Sequence, residues 1–429
     1  MSVKVMFALT LIWGVLALFF LHSNFVKDTD KRQRSQPSSL LSKEEQLKKI
    51  YLPRLIYLGT AEELIEHSHQ MQQQTQQRGI EVDEHSLKRY AYIKNDKNYK
   101  QVNFRNREFD EECVAMGSWQ ESSFPSCNQI HEVGLLDKVT TDEFHYVASG
   151  GWNDVFNLLD TSLGLDPSLA MKILSPKRGI KEGQRLTDKY KLRNYERVRQ
   201  DAIILERLSS SKHVMDLVGY CGAVIISPFA DGTLEDKITK LVKTKVSIER
   251  LKLMVDAAKG LADIHGDDIP SIVHGDLTSK QYMFVNGTLQ LGDFNQAILI
   301  KRNTTSPDKA CKFHRIDPDY GIFRSPEEYS HLPQTAAVDV WALGSIIYHI
   351  LTGKRVWKSQ YIKRDAEQAM IRGELPVIDD SIKNSSDPVH QALLNAFYMC
   401  YTHSPQKRPT AKEVARYLEE RWSELSDGT

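Results

Sequence analysis

The stretch His274-Gly275-Asp276-Leu277-Thr278-Ser279-Lys280-Gln281, followed by Asp293-Phe294-Asn295, decides the fold of this 429-residue chain. Its two key aspartates, Asp276 and Asp293, lie seventeen residues apart. A carboxylate at either position can accept a proton or chelate a divalent cation. Gln281 adds an amide oxygen that can also ligate a cation. Between the segments, Asn286-Gly287 is the dipeptide of a tight hairpin turn.

The flanking sequence changes character around this stretch. From about Glu143, short apolar runs broken by Gly, Asn and Asp predict an antiparallel sheet. After Glu235 the pattern becomes helical, with amphipathic stretches at Ile248–Ile264 and Pro388–Cys400. The expected fold is therefore α+β, a small sheet-rich lobe followed by a larger helical one.

The two segments resemble the catalytic loop H-R-D-L-x-x-x-N and the metal-binding turn D-F-G of the eukaryotic protein kinase superfamily. That resemblance implies a two-lobed protein kinase fold over 142–424, ATP and Mg²⁺ as cofactors, and a protein substrate. It gives Asp276 the role of catalytic base and Asp293 and Gln281 the metal, with Gln281 standing where the family has Asn. Thr278 stands where Ser/Thr-type kinases carry a phosphate-contacting lysine, and Lys280, two residues later, is expected to supply that charge. Gly275 replaces the arginine that grips an activation-loop phosphate, so activation is not expected to depend on phosphate at Thr304, Thr305 or Ser306. Asn295 replaces the glycine of the turn, as the residue next most tolerant of unusual backbone geometry.

Other motifs follow in the family's order. Ala148-Ser-Gly150-Gly151-Trp152-Asn153-Asp-Val155 resembles the Gly-rich phosphate loop, with Ala148 and Asn153 in place of its first and third glycines. The resemblance gives Gly150, Gly151, Trp152 and Val155 to the nucleotide. Leu169-Ala170-Met171-Lys172-Ile173 resembles V-A-I-K, so Ala170 would touch the nucleotide and Lys172 the α- and β-phosphates. A helix at about 192–208 is expected to present Asp201, one methylene shorter than the usual glutamate, to Lys172, with Glu196 as a substitute on another face. Backbone groups at Phe229 and Ala230 would contact adenine. Arg324-Ser-Pro-Glu327 resembles A-P-E, Asp339-Val-Trp341 opens a buried helix, and Arg408 is the arginine that pairs with Glu327.

The N-terminus is organised differently. Between Lys4 and Lys27 lie 22 residues without Asp, Glu, Lys or Arg. As a helix they would span about 33 Å, enough for a hydrocarbon core of about 30 Å. A short tail (1–4), a transmembrane signal-anchor (5–26) and a polar, partly helical stem (27–141) are expected before the catalytic region. Capping-box helix starts at Ser42 and Thr60 and a Gln-rich tract at 70–77 lie within that stem. Lys27, Lys31, Arg32 and Arg34 after the span favour a cytoplasmic domain. Sequons at Asn286, Asn303 and Asn384 and a Cys113/Cys127 pair favour a lumenal one, so sidedness stays open. Lys plus Arg and Asp plus Glu are both 56, which argues against a nucleic-acid partner.

The functional expectation is a single-pass, membrane-anchored kinase acting on Ser or Thr of a protein. The eroded glycine loop, Asp201 and Gln281 support an alternative, a pseudokinase scaffold. The anchor, the early cysteines and the run from His213 to Cys221 also resemble protein O-mannose kinase, which implies a third possibility, a secretory-pathway kinase acting on a glycan.

Overall fold

The computed structural model describes residues 107–109, 113–122, 144–150, 153–158, 168–174, 188–244, 247–266, 271–306, 308–315, 323–357 and 363–426. The expected anchor, the two capping-box helix starts, the Gln-rich tract, Gly151 and Trp152 lie outside these residues. Among the described residues no helix is long and apolar enough to cross a membrane. The described residues form two units, one of residues 144–174 and 218–227, the other of 107–122, 189–217 and 228–426.

The first unit is a five-stranded sheet. Its strands run in the order Phe144–Ser149, Asn153–Leu158, Leu169–Leu174, Val224–Pro228, Gly219–Cys221. Alternate residues of Asn153–Leu158 are buried, the period of a strand with one face on a core. Phe156 and Leu158 pack there against Leu169, Met171, Ile173 and Ile226. Val155 pairs with Lys172 and Asn157 with Ala170, so Val155, Ala170 and Lys172 share the opposite face.

The second unit is mainly helical. Helix Ala337–Thr352 is buried from Val338 to Leu351, as an almost uniformly apolar helix must be, and packs on Pro388–Cys400. Helix Ile248–His265 packs on Ala411–Ser426. Gly344 permits the first of these contacts, since a Cβ there would come within 2.7 Å of Cys400, a free and buried cysteine. The expected hairpin is present: Tyr282–Val285 and Thr288–Leu291 pair antiparallel across Asn286 (φ 49°) and Gly287 (φ 75°), a turn with positive φ at both central residues.

Part of the expected stem belongs to this second unit. Strand Arg107–Phe109 pairs with Phe313–Arg315, and Cys113–Ala115 pairs with Lys301–Asn303. Cys113 forms a disulfide with Cys311, 198 residues away, a connectivity that the cysteine count leaves open. The register sets Cys113 opposite Asn303, while Cys311 N–H donates to Lys301 O at 2.8 Å, so the ladder brings the two cysteines together. Cysteine spacing alone carries no such connectivity. Cys221 is also disulfide-bonded.

Candidate active site

In the sheet unit, Gly150 N–H donates to Asn153 O at 2.8 Å and closes the turn between the first two strands. Lys172 is half-buried on the strand two positions from Ala170. The expected pair Lys172–Asp201 spans the two units, and each partner is described within its own.

In the helical unit the catalytic loop hangs from one buried carboxylate. Asp339, in the first turn of helix Ala337–Thr352, accepts His274 N–H on Oδ2 at 2.6 Å and Gly275 N–H on Oδ1 at 2.9 Å. His265 Nε2 lies 3.1 Å from Oδ2. Burial alone would raise the Asp339 carboxyl. The His265 hydrogen bond, the charges of His265 and His274 and the Gly275 N–H outweigh burial and hold it below its ordinary value. These bonds let the chain turn through Gly275 at φ 70°, a left-handed conformation that glycine adopts freely. His274 is fully buried, with Nε2 3.1 Å from Gly292 O and its ring 5.3 Å from that of Phe294. Loop and metal-binding turn are thus packed as one piece.

Asp276 emerges from this loop about one-third exposed, with its N–H on His274 Nδ1 at 3.3 Å. Its Oδ1 accepts from Arg324 Nη2 at 2.9 Å, while Arg324 Nη1 donates to Gly275 O. Arg324 is the residue just before Ser-Pro-Glu, and its contact with the expected base was not foreseen. Beside this pair is a cavity of about 140 Å³, lined in part by Asp276, Thr278, Phe323 and Arg324.

Farther along the loop, Lys280 is exposed, with its N–H on Thr278 Oγ1 at 3.3 Å. Ser279 is buried and donates to Glu235, which Arg355 Nε also reaches at 3.0 Å. Burial would raise the Glu235 carboxyl, but the Ser279 and Arg355 hydrogen bonds and the nearby His349 and Arg355 charges bring it below its ordinary value. Gln281 Nε2 donates to Asp276 O at 3.4 Å, so its amide oxygen is not the atom used in that contact. Gln281 O accepts Gly292 N–H at 2.9 Å, so the residue before Asp293 is tied to the loop.

One expectation is corrected at the turn. The left-handed residue is Asp293 (φ 63°, ψ 58°), and Asn295 instead lies in the 3₁₀ turn Phe294–Gln296. Asn295 is useful for its side chain, whose Nδ2 donates to Asp293 Oδ1 and orients that carboxylate. Asp201 is buried on helix Asp188–Arg207, and within this unit its Oδ1 accepts Phe294 N–H at 2.8 Å. The shorter aspartate fits a backbone partner that lies close to the helix. Glu196 is engaged by Arg199 Nε at 2.8 Å, three residues along the same helix.

Asp293 and Gln281 supply one carboxylate and one amide oxygen. That donor set fits magnesium, which binds through one or two carboxylates and takes its other ligands from phosphate and water. Among the described residues no group of three or more His, Cys, Asp or Glu could hold a metal by itself. Phe229 and Ala230 are half-buried beside Asp231, whose N–H donates to Phe284 O at 2.9 Å. The expected pair of Glu327 and Arg408 is present and buried, at 2.7 and 3.2 Å.

Comparison with known proteins agrees with this geometry. A family model described as a protein kinase domain matches residues 166–420. The chain is 27% identical over 237 residues to the LRR receptor-like serine/threonine-protein kinase GSO2 of Arabidopsis thaliana, covering 48% of this chain and 18% of that protein. It is 26% identical to FEI 2, another LRR receptor-like serine/threonine-protein kinase of that plant, covering 50% of this chain and 38% of the relative. A shorter receptor-like serine/threonine-protein kinase from the same plant is 25% identical over 313 residues, covering 66% of this chain and 81% of its own length. The chain thus spans well under half the length of the first two relatives.

Proposed function

Because the chain belongs to the protein kinase family, we propose that it transfers the γ-phosphoryl group of ATP to a Ser or Thr hydroxyl of a protein. The observation that carries this reading is the Asp276 loop, hydrogen-bonded through Gly275 and His274 to a buried, ionised Asp339. Such a loop holds a carboxylate ready without reorganisation during the reaction. Asp276 accepts the proton of the acceptor hydroxyl and directs its oxygen toward phosphorus. Arg324 keeps Asp276 oriented until that hydroxyl arrives. Lys172 would hold the α- and β-phosphates, and Gly150, Gly151, Trp152, Val155 and Ala170 would line the nucleotide, with Phe229 and Ala230 at adenine. Lys280, exposed at the loop's end, would meet the transferred phosphate. Bound by Asp293 and Gln281, magnesium would supply positive charge to the phosphates.

The serine/threonine preference rests on the names of the plant relatives. The apolar run 5–26 supports a membrane anchor. The Cys113–Cys311 disulfide and the disulfide-bonded Cys221 favour an oxidising compartment, hence a lumenal domain. Exposed sequon asparagines Asn286 and Asn384 support the same side.

The test is magnesium-dependent phosphotransfer by the full-length chain, comparing wild type with Lys172→Met and Asp276→Asn. Loss of the base is expected to lower kcat by about 10²–10⁴-fold. Wild-type protein that binds ATP and never turns it over would overturn the enzyme and leave a scaffold. A panel of hydroxyl acceptors separates protein from glycan substrates, and glycosidase sensitivity of the expressed chain reports sidedness.

A further inference from the structure

Residues 113–120 occupy a place that the catalytic machinery does not explain. Strand Cys113–Ala115 runs antiparallel to Lys301–Asn303, a few residues beyond the Asp293 turn, with Lys301 opposite Ala115 and Asn303 opposite Cys113. The Cys113–Cys311 disulfide closes the far side of the same segment. Met116 packs against the buried cluster of Ile298, Ile300, Phe313, Val273 and Val338. Gln120, 4% exposed, then commits its whole amide: Oε1 accepts Met116 N–H at 2.7 Å and Nε2 donates to Ile300 O at 2.9 Å. A buried amide satisfied at both ends fixes its neighbours strongly, because each broken bond would leave a polar group without water.

The same short segment also holds the helix that carries Asp201. Arg207 lies over the Trp119 ring at 4.2 Å, and Arg199 Nη2 reaches Gln120 O at 3.5 Å. That helix in turn holds the metal-binding turn, through Asp201 on Phe294 N–H and Gln200 on Ala297 O. The contacts close a ring: helix Asp188–Arg207 to the Asp293 turn, onward to Ile300 and Asn303, across to residues 113–120, and back to the helix. Gly275 supplies no side chain to hold this segment.

We propose that residues 113–120, locked by the Cys113–Cys311 disulfide and centred on Gln120, are a built-in positioning element that holds the Asp201 helix and the 298–313 segment in their working arrangement without a phosphate. Gln120 acts through Ile300 and the helix, so it is a positioning residue that touches no reactant. The inference rests on the kinase reading above and adds that the site's working geometry is set by thiol oxidation.

The experiment uses the full-length chain produced in an oxidising compartment, with Cys113→Ser/Cys311→Ser and Gln120→Leu compared with wild type. Serine replacement is preferable to a reductant because Cys221 is disulfide-bonded as well. Two readouts are taken below the melting temperature of every variant: limited proteolysis mapped by mass spectrometry over 298–306 and 308–315, and kcat with KM for ATP. Both variants are expected to increase cleavage within 298–306 and 308–315 and to lose about tenfold or more in kcat, with KM for ATP little changed. Thr304→Ala/Thr305→Ala/Ser306→Ala is expected to keep wild-type kcat. Unchanged cleavage overturns the proposal, and so does increased cleavage with undiminished kcat, since that marks a merely structural brace. A large kcat loss in the triple alanine variant overturns it as well. Wild-type protein without phosphotransfer refutes the kinase reading instead, and the cleavage pattern then still decides whether the segment is clamped.

Discussion

Replacing Asp339 by Asn changes one atom in the core and should disable the catalytic loop. The carboxylate accepts three hydrogen bonds: Gly275 N–H on one oxygen, His274 N–H and His265 Nε2 on the other. An Asn amide offers one oxygen and one NH₂. Whichever way it turns, one loop N–H meets another donor, and the remaining bonds lose their charge. Bonds to a charged acceptor contribute about 1.5–3 kcal/mol, neutral ones about 1, and a stranded buried donor costs about 1–3. Two weakened bonds and one lost donor therefore amount to roughly 3–5 kcal/mol. For a domain of this size that is a fall of roughly 6–20 °C in Tm, measurable by calorimetry. The functional loss should be larger in relative terms, because displacing a reacting group by about 1 Å costs about 100-fold in rate. His265→Gln is the internal control, since it leaves both loop bonds in place and should lower Tm while sparing most activity. An Asp339→Asn protein with Tm within about 2 °C of wild type and unaltered kcat would refute this account of how the loop is held.

Arg408 is fully buried, with Nε on Thr402 O and its two terminal nitrogens shared among Glu327, Ala337 O and His403 O. Arg408→Met strands the Glu327 carboxylate and should cost about 3–5 kcal/mol by chemical denaturation, while adding Glu327→Gln should recover part of that loss. Strictly additive costs would show that the pair is not coupled. Burial lowers His213 and His349 below their ordinary value of 6.5, although Asp256 and Glu235 respectively pull the other way. Their folded-state values lie below the unfolded ones, so the stability they contribute is complete above about pH 6.5 and is lost as pH falls. Tm should therefore drop between pH 7 and pH 5, less steeply in His213→Gln, and a flat profile would refute the assignment. Asp339 and Glu235, held low, should add their own loss only at still lower pH.

The parts of this fold that sequence made legible are those fixed by local chemistry. The 3.6-residue period placed Pro388–Cys400 where the helix lies, and Asn286-Gly287 marked its hairpin because few residues tolerate positive φ twice. The pairing of Glu327 with Arg408 followed from motif order. What escaped depends on contacts far apart in the chain. Strands Arg107–Phe109 and Cys113–Ala115 have three residues each, too few for any period to show. The 198-residue reach from Cys113 to Cys311 has no sequence mark either. At the site itself, Asp276 and Asp293 were evident as residue types, but their orienting partners Arg324 and Asn295 were not, because a side chain's partner is chosen by packing. Asp201 shows the same limit: sequence named the residue, and geometry gave it the Phe294 N–H.

The free Cys400 beneath Gly344 bears on how long the oxidised form lasts. Burial pushes its thiol up to about 12, with the Arg408 charge offsetting only part of that rise. At neutral pH about one molecule in 10⁵ then carries a thiolate there, and only a thiolate attacks a disulfide sulfur. The one free thiol among the described residues is thus almost wholly protonated while the protein stays folded. A thiol so rarely ionised is a poor initiator of exchange with Cys311, so among the described residues no ready nucleophile faces the bridge.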